Sequence, residues 1–350
     1  MKYNYHSHTF RCGHTDNSSD ENYIVKAIEY NYKKYGISDH VPVYPLMYTD
    51  PSIRMNHNLV NDYIESINSL KEKYKNDLTI YSGFEVEYDY VIEPFLVYLR
   101  EQVDYLILGQ HFVFFERIRD RLDYPVEYAK VVCKAIDSGL FDYIAHPDIF
   151  YKFKPKNLNS IEEQEYNKYA SIATDMLINK TKEYNIPLEL NLGDDYTKEE
   201  LSYPNKDFWN KVKESNNTVV IGIDAHSTKE IEIRDTKIER ISKFIDINNL
   251  NILDDYDPVI YRTNNKKIND AYINTKNNID KIETRLIKYY NDIDKLICHL
   301  KKENEHANKH GFSTSQSDKE TRKLRDELIE FINNNRDNNL IEKLNKYYEI

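Results

Sequence analysis

Cysteine is scarce in this chain: its 350 residues include three, Cys12, Cys133 and Cys298, which are scattered and odd in number. Such usage argues against a disulfide framework and favours a reducing compartment. No run approaches the ~20 consecutive apolar residues that a membrane-spanning helix requires. No apolar stretch that could serve as a signal peptide precedes the first predicted strand at Lys2. The sequence therefore predicts a cytoplasmic protein that makes no membrane contact.

Glycine is also scarce, with eight residues, whereas tyrosine is abundant, with 31. Asparagine, lysine and isoleucine are abundant as well. We attribute this composition to a bias of the source genome, so we draw no conclusion about mechanism from it.

Net positive charge is absent: the formal charge is −11 at pH 7. Residues 251–350 carry equal numbers of acidic and basic side chains, so the excess of acid lies in residues 1–250. A net acidic surface disfavours nonspecific binding of nucleic acid. We therefore expect a small-molecule substrate and no nucleic-acid partner.

Short apolar runs alternate with helical patterns over the first 230 residues. Because a strand places residues i and i+2 on one face, His6 and His8, which follow the run 2–5, aim two imidazoles at one point. Asp224 and His226 repeat this arrangement after the run 219–223. Further runs end just before His40, Glu85, His111 and His146, and a seventh ends near Asn191. Strands alternating with helices predict a parallel α/β fold, and functional groups at successive strand ends indicate a barrel with its site on the C-terminal face.

Histidines at strand ends have two explanations. A single one is more often a structural residue than a ligand, and short motifs carry little weight. The series is harder to explain by packing because it nearly exhausts the histidines before residue 230. His57 opens a predicted helix and is left out. Clusters of His and carboxylate mark metal or catalytic sites, so the sequence predicts a site for several metal ions.

Short motifs surround these residues: His6-Ser7-His8, Cys12-Gly13-His14, Ser38-Asp39-His40, Gly83-Phe84-Glu85-Val86-Glu87, Gly109-Gln110-His111-Phe112-Val113, Ala145-His146-Pro147-Asp148 and Gly222-Ile223-Asp224-Ala225-His226. Together, and in this order, they resemble the polymerase and histidinol phosphatase (PHP) superfamily, and within it the histidinol-phosphatase branch. The resemblance implies a distorted (β/α)7 TIM-like barrel with a trinuclear metal centre.

The resemblance also implies three ligand sets, one for each metal ion. His6, His8, Glu85 and Asp224 would hold the first ion. Glu85 would bridge to a second ion, which His111 and His146 also bind. The third ion would be held by His14, His40 and His226.

Residues of these types suit the hydrolysis of a phosphate ester. Metal ions about 3.5–4 Å apart lower the pKa of a bridging water and hold the attacking and leaving oxygens in line. Mixed imidazole and carboxylate ligands are typical of Zn, Fe or Mn sites. We assign catalytic roles to Glu85, Asp224 and His226. The candidate proton donor to the leaving group is Asp224 or a water held by His226.

Substrate recognition departs from the family pattern. Histidinol phosphatases usually continue after the seventh run with a Thr-Ser-Gly-Leu-Arg type of stretch, whose Arg helps to bind phosphate. Here the chain reads Asn191-Leu192-Gly193-Asp194-Asp195-Tyr196. Aspartate cannot replace a guanidinium fork, so either another loop supplies positive charge or the substrate differs. The candidate loops carry basic residues that are otherwise explained as solvated surface: Arg117, Arg119 and Arg121, and Lys152 and Lys154.

The last hundred residues have a different pattern, so we divide the chain into a barrel, 1–250, and a helical extension, 251–350. Apolar residues at spacings of three and four form a heptad seam between Ile279 and Leu300. Ser317 and Glu320 form a capping box for another helix. We predict a helical hairpin that packs on the barrel, with a homo-oligomer or partner surface as the alternative.

Three functions remain open at this point. The first is a metal-dependent phosphomonoesterase acting on histidinol phosphate. The second is a phosphoesterase of the same fold acting on another phosphorylated small molecule, such as a nucleotide or sugar phosphate. The third is a noncatalytic metal-binding protein that uses its helical extension to bind partners.

Overall fold

The computed structural model of the chain describes residues 2–42, 53–55, 59–89, 92–111, 121–193 and 201–278, and position 330. Its eight strands are β1 Tyr3–Asn4, β2 Lys34–Ile37, β3 Thr79–Val86, β4 Tyr105–Leu108, β5 Tyr143–Ile144, β6 Leu188–Asn191, β7 Thr218–Gly222 and β8 Asn251–Ile252. Its helices are α1 Asp20–Glu29, α2 Val60–Lys73, α3 Glu93–Gln102, α4 Tyr124–Asp137, α5 Ser160–Tyr184, α6 Lys206–Ser215, α7 Thr228–Glu232, α8 Arg234–Ile241, α9 Pro258–Asn264 and α10 Lys266–Asn277.

The strands form one parallel sheet in the order in which they occur along the chain. Its longest strand, β3, pairs with β2 through its first half and with β4 through its second half. The sheet closes at its carboxyl end, where Ser7 and Ala225 form a parallel bridge beyond β1 and β7. The predicted class, a distorted TIM-like α/β barrel, is confirmed.

The resemblance implied seven strands, and the structure adds an eighth. The strand β8 pairs with β7 at the amino end of the sheet, and the Tyr3 hydroxyl donates to the Leu253 carbonyl just beyond β8, at 2.8 Å. Two residues are too few to give a pattern that a sequence can reveal.

Residues 251–278 pack on the barrel. Helix α9 begins at Pro258 after the Asp257 cap, whose side chain accepts from the Val259 and Ile260 amides. Arg262 in α9 donates to the Asp142 carboxylate and to the Gly139 carbonyl. The predicted hairpin lies outside the described residues except for Glu330 and stays a prediction. Of the helices in the described part of the chain, none combines the length and apolar character that a bilayer crossing demands.

Asparagine takes over a role that glycine usually fills. In the described residues, five asparagines have positive φ, compared with two glycines. Two of them, Asn185 and Asn216, end helices α5 and α6 in the left-handed conformation. Asparagine tolerates this region better than other residues with a Cβ atom, so a chain with few glycines can still end its helices sharply.

Two parts of the core are formed by the described residues. The larger part lies between the sheet and its helices and is mostly aliphatic and aromatic. The smaller part fills the barrel interior and contains the tyrosine cluster, by which we mean Tyr3, Tyr5, Tyr105, Tyr143 and Tyr256. This cluster leaves the carboxyl end of the barrel free for polar side chains.

Candidate metal centre

Glu85 lies at the centre of the histidine cluster. It is the seventh residue of β3 and is 1 % exposed. Its Oε1 lies 2.8 Å from His146 Nε2 and 3.8 Å from His111 Nε2. Its Oε2 is surrounded by three ring nitrogens, His40 Nδ1 at 3.1 Å and the Nε2 atoms of His6 and His8 at 3.3 Å each. A single buried carboxylate therefore contacts residues that follow β1, β2, β4 and β5.

Close packing around Glu85 requires a glycine. A Cβ atom at Gly109, just after β4, would lie 1.8 Å from Glu85 Oε1. No side chain fits there without moving the carboxylate. The Gly-Gln-His motif thus supplies both the space for Glu85 and the neighbouring His111.

Asp224 is the second carboxylate of the cluster. Its Oδ1 lies 3.3 Å from His6 Nε2 and 3.2 Å from His8 Nε2. Its backbone is left-handed, with φ of 55°, and His146 also has positive φ, 27°. Such conformations are uncommon outside glycine and cluster at functional sites, and here they occur where the chain leaves β7 and β5.

His226 and His14 form the outer edge of the cluster. The His226 side chain is 32 % exposed and its Nδ1 lies 3.6 Å from Asp224 Oδ1. The His14 ring lies 4.5 Å from the His226 ring, centroid to centroid. Eight of the nine predicted metal ligands belong to groups whose donor atoms lie within 4.8 Å of one another, and His14 is the exception. The open side of the cluster is therefore the side on which a substrate would approach.

The donor set fits divalent metal ions. The Nε2 atoms of His6 and His8 are buried and make no hydrogen bond in the described structure. Both face the same two carboxylate oxygens at 3.2–3.3 Å. Two ligand atoms bound to one Zn²⁺ at its usual bond lengths and tetrahedral angles are about 3.4 Å apart, so this spacing suits a shared cation.

Neighbouring groups shift the pKa values of Glu85, Asp224 and His8 towards their charged forms. Burial alone would raise the pKa of Glu85 and Asp224, but nearby imidazoles, His6 among them, hold both pKa values well below the ordinary range. Burial alone would lower the pKa of His8, but the nearby carboxylates of Asp224 and Glu85 raise that pKa to about 9. The two carboxylates are therefore ionised at neutral pH, as ligands must be.

Four other imidazoles of the cluster have their pKa shifted in the opposite direction. Burial lowers the pKa of His40, His111 and His226. Burial, together with His226 and His8, lowers the pKa of His14 to about 4. These rings are neutral at pH 7, which is the form that binds metal.

Glu87 contacts His111 and is itself paired with Arg54. The Glu87 Oε1 atom accepts from His111 Nδ1 at 2.9 Å and also from Arg54. Both side chains are fully buried. Holding one ring nitrogen of His111 fixes the tautomer that leaves Nε2 without a hydrogen, the form that a metal ligand requires. Nothing in the sequence pattern pointed to Arg54.

Asp39 and Asp148, which adjoin or nearly adjoin predicted metal ligands, accept hydrogen bonds from neighbouring segments of the chain. Asp39 accepts from the Thr9 amide at 2.5 Å and from the Thr9 hydroxyl at 2.7 Å, which fixes the chain just after His8. Asp148 accepts from the Asn205 amide at 2.5 Å and from Trp209 Nε1 at 3.2 Å. Burial raises its pKa to about 7.

Glu189 is a buried carboxylate that the sequence reasoning missed. It lies in β6, is fully buried and contacts His6 Nδ1 at 2.9 Å. A signal was present, because Glu189 is two residues before Asn191 in an apolar run and so shares its face of the strand. A charged residue inside a buried strand needs a partner.

The predicted basic residues are dispersed. Arg117 and Arg119 lie outside the described residues, as does the stretch 194–200. Arg121 is paired with Asp123 at 2.6 Å, and Lys154 with Glu163 at 2.5 Å. The Lys152 amine lies 5.4 Å from the centroid of the Tyr203 ring, which is 6.3 Å from that of His146. Of the three described residues, Lys152 is therefore the one placed near the cluster without a carboxylate partner in the described structure.

Fold and site together define an α/β barrel whose carboxyl end is lined with imidazoles and carboxylates. The family model described as the PHP domain matches residues 4–193. This is more than half of the chain, so the chain belongs to the PHP domain family.

Individual proteins are similar at lower levels. The histidinol-phosphatase of Bacillus subtilis (strain 168) is 29% identical over 141 residues, which cover 38% of this chain and 52% of the relative. The match thus spans about half the length of that curated relative. A structure of a histidinol phosphate phosphatase from Lactococcus lactis, in complex with zinc, L-histidinol and phosphate, aligns with TM-score 0.56 and 16% identity over 74% of this chain and 97% of that one. A proposed histidinol phosphatase from Listeria monocytogenes aligns with TM-score 0.53 and 20% identity, over 66% and 97% of the two chains. These two structures support the fold.

Proposed function

We propose that this protein is a metal-dependent phosphomonoester hydrolase and that its substrate is histidinol phosphate. The observation that carries the proposal is the cluster itself, in which one buried carboxylate, Glu85, contacts five imidazoles within 4 Å. Membership of the PHP domain family and similarity to a histidinol-phosphatase support the choice of reaction.

Contacts around Glu85 and Asp224 support two of the three ligand sets proposed from the sequence. His6, His8, Glu85 and Asp224 share the spacing expected around one ion. Around Glu85 Oε1, His111 and His146 supply a second set. His14, His40 and His226 would hold a third, with His14 supplied by the exposed loop after β1. Divalent zinc, iron or manganese bound there would neutralise phosphate charge and lower the pKa of a water molecule.

Asp224 and His226 have different roles in our proposal for proton donation to the leaving group. Asp224 is held ionised by its imidazole neighbours, so we assign it the role of ligand and not of proton donor. His226 is neutral, partly exposed and hydrogen-bonded through Nδ1 to the Asp224 carbonyl at 2.9 Å. This leaves Nε2 as the atom that would bind the proposed third ion, and a water beside His226 is our candidate donor to the leaving alkoxide.

Lys152 is our candidate for part of the missing positive charge. Its amine extends beside Tyr203, next to His146, whereas Lys154 and Arg121 are committed to carboxylates. Arg117 and Arg119 remain candidates from the sequence.

A second substrate class is favoured by a specific observation. The chain carries Asp194-Asp195 where histidinol phosphatases usually continue towards an Arg. Another phosphorylated small molecule, such as a nucleotide or a sugar phosphate, is therefore the alternative.

The test is phosphate release by the full-length protein, after its metal content has been measured. Histidinol phosphate, an aryl phosphate, a nucleoside monophosphate and a sugar phosphate are compared at equal concentrations, with and without a chelator. We expect chelator-sensitive hydrolysis with the highest kcat/KM for histidinol phosphate. A preference for another ester would support the proposed hydrolase activity and reject histidinol phosphate as the substrate. If the metal-loaded protein cleaves none of these esters, the proposed hydrolase activity is rejected.

A further inference from the structure

Glu189 lies beneath the histidine cluster and contacts it from the barrel interior. It is the second residue of β6 and its side chain is 0 % exposed. Its Oε1 lies 2.9 Å and its Oε2 3.1 Å from His6 Nδ1. Its Oε2 accepts from the His146 amide at 3.1 Å and from Asn191 Nδ2 at 2.7 Å. Both oxygens therefore act only as acceptors.

The contact with His6 decides which of its ring nitrogens can be a ligand. A carboxylate can only accept, so Nδ1 of His6 carries the hydrogen. The Nε2 atom is then the free nitrogen, and it is the one that faces Glu85 and Asp224 at 3.3 Å. Outer carboxylates that fix a ligand's tautomer and orientation are a common part of metal sites.

The contact with His146 fixes a second predicted ligand through its backbone. The φ of His146 is positive, at 27°, and a bulky residue needs surrounding contacts to hold that conformation. The amide of His146 points at Glu189. Asn191, the third partner, also reaches Asp224 Oδ2 at 3.4 Å. One carboxylate thus braces the side of the cluster formed by β5, β6 and β7.

A buried carboxylate with a purely structural role in this barrel has different partners. Asp142, which precedes β5, accepts from the Leu106 amide and is paired with Arg100 and Arg262. Glu189 has no lysine or arginine among the ion pairs of the described residues, and its ion-pair partner there is His6. Its charge is therefore compensated mainly by a predicted ligand.

We propose that Glu189 is a positioning residue that holds His6 and His146 in the geometry that binds metal. The inference rests on the proposed metal site. Glutamine cannot replace it, because both Glu189 oxygens lie within 3.1 Å of His6 Nδ1 and one of them would become an NH2 donor. That NH2 group would either oppose the hydrogen on Nδ1 or force Nδ1 to accept, and in the second case Nε2 could no longer bind metal.

The experiment compares Glu189→Gln with the matched control Asp142→Asn in the full-length protein. Zn²⁺ affinity is measured by competition with a chromophoric chelator, and thermal unfolding is measured on the metal-free proteins. We expect Glu189→Gln to weaken the tightest Zn²⁺ site roughly 10–100-fold. Asp142→Asn should lower Tm and leave Zn²⁺ affinity at the wild-type value. Excess metal should restore the kcat of Glu189→Gln.

Several results would overturn the inference. Wild-type Zn²⁺ affinity in folded Glu189→Gln rejects it while leaving the proposed function in place, and so does equal weakening by Asp142→Asn. Wild-type protein that binds no metal rejects the proposed function and this inference with it. If Glu189→Gln does not fold, Glu189→Asp keeps the charge but shortens its reach, and unchanged affinity in that variant rejects the positioning role.

Discussion

The two ends of the barrel interior are built from different aromatic residues. At the amino end, the tyrosine cluster contains edge-to-face pairs such as Tyr5–Tyr105, whose ring centroids are 5.6 Å apart, and the stacked pair Tyr3–Tyr5. At the carboxyl end, imidazoles take the place of phenols. The His8 ring stacks on those of His40 and His226 at 4.4 and 4.5 Å. The same sheet thus supports two aromatic clusters that differ in chemistry.

The two clusters differ in how their polar atoms are satisfied. Tyr3, Tyr5 and Tyr105 each donate a hydroxyl hydrogen to a backbone carbonyl, at 2.7–2.8 Å. In contrast, buried ring nitrogens of His6, His8 and His146 have no hydrogen-bond partner in the described structure. Buried polar atoms that all have hydrogen-bond partners stabilise a fold. Buried ring nitrogens without such partners are suited to binding a ligand. This barrel therefore has a hydrogen-bonded structural end and an opposite end where we propose the metal site, the arrangement typical of barrels of this class.

The largest expected effect is the loss of activity in Glu85→Ala. Because Glu85 is the proposed bridge between two ions, its removal should abolish phosphate release and cost more than the roughly 10–100-fold typical of residues behind the ligands. The matched control is Glu163→Ala at the surface pair with Lys154, which should retain wild-type activity. Activity that persists in Glu85→Ala would reject the bridging role.

Two glycine substitutions, one at each end of the barrel, should have different effects on metal affinity and stability. Gly109→Ala places a Cβ atom 1.8 Å from Glu85 Oε1, whereas Gly83→Ala places one 2.4 Å from the Tyr105 ring. We expect Gly109→Ala to lose metal affinity and Gly83→Ala to lose stability with the metal-binding stoichiometry intact. Zn²⁺ titration and urea unfolding of both variants give the answer. The same loss in both variants would contradict the division.

Truncation of the tyrosine cluster should affect the free energy of unfolding and leave the metal site unchanged. Tyr105 is fully buried, so Tyr105→Ala should cost roughly 3–5 kcal/mol, as large aromatic truncations do. The control Tyr105→Phe removes the hydroxyl and its hydrogen bond to the Tyr5 carbonyl, and should cost about 1 kcal/mol. Urea unfolding of metal-free protein measures both. A fall in metal affinity in Tyr105→Phe would contradict the prediction that the metal site is independent of the tyrosine cluster.

Between pH 6.5 and 9 the two ends should respond differently. His8 has its pKa raised to about 9, so in metal-free protein its contribution to stability is complete below about pH 6.5 and is lost as the pH rises towards 9. Burial raises the pKa of Tyr5 and Tyr105, so the tyrosine cluster does not ionise in this range.

Metal binding at pH 7 should therefore release a proton from His8. Calorimetric titration in Hepes and in Tris, which differ in ionisation enthalpy, measures the release. His8→Gln should release fewer protons than the wild type. Identical heats in both buffers would contradict the assignment.

The smallest expected effect concerns the substrate. Lys152→Ala should raise KM about tenfold, the effect of losing one charge-assisted contact with phosphate, with little change in kcat. Lys154→Ala removes a lysine already paired with Glu163 and serves as the control. Equal KM values for the two variants would remove Lys152 from the substrate site.

The sequence predicted the carboxyl end of the barrel better than the amino end. His6, His8 and Asp224 could be placed because residues at strand ends share an edge and the alternation of a strand fixes their direction. Tyrosine carries no comparable signal, since its abundance alone does not distinguish Tyr105 in the interior from a tyrosine at the surface.

Residues that act through tertiary contacts were the hardest to predict. Arg54 reaches Glu87 from a loop distant in sequence, and nothing in its own segment marks it. Glu189 was detectable as a charge within an apolar run, but its partner His6 is 183 positions away. The strand β8 is held by pairing with β7 and not by a pattern of its own. Such features depend on which strands become neighbours, which a single sequence does not specify locally.

The most direct test of the division between the two ends is a crystal structure of the metal-loaded protein, with anomalous diffraction recorded at the zinc, iron and manganese edges. We expect anomalous peaks between Glu85, Asp224 and the surrounding imidazoles, and none in the tyrosine cluster. Peaks confined to other parts of the molecule, with none within bonding distance of Glu85, would contradict the assignment of the carboxyl end as the metal centre.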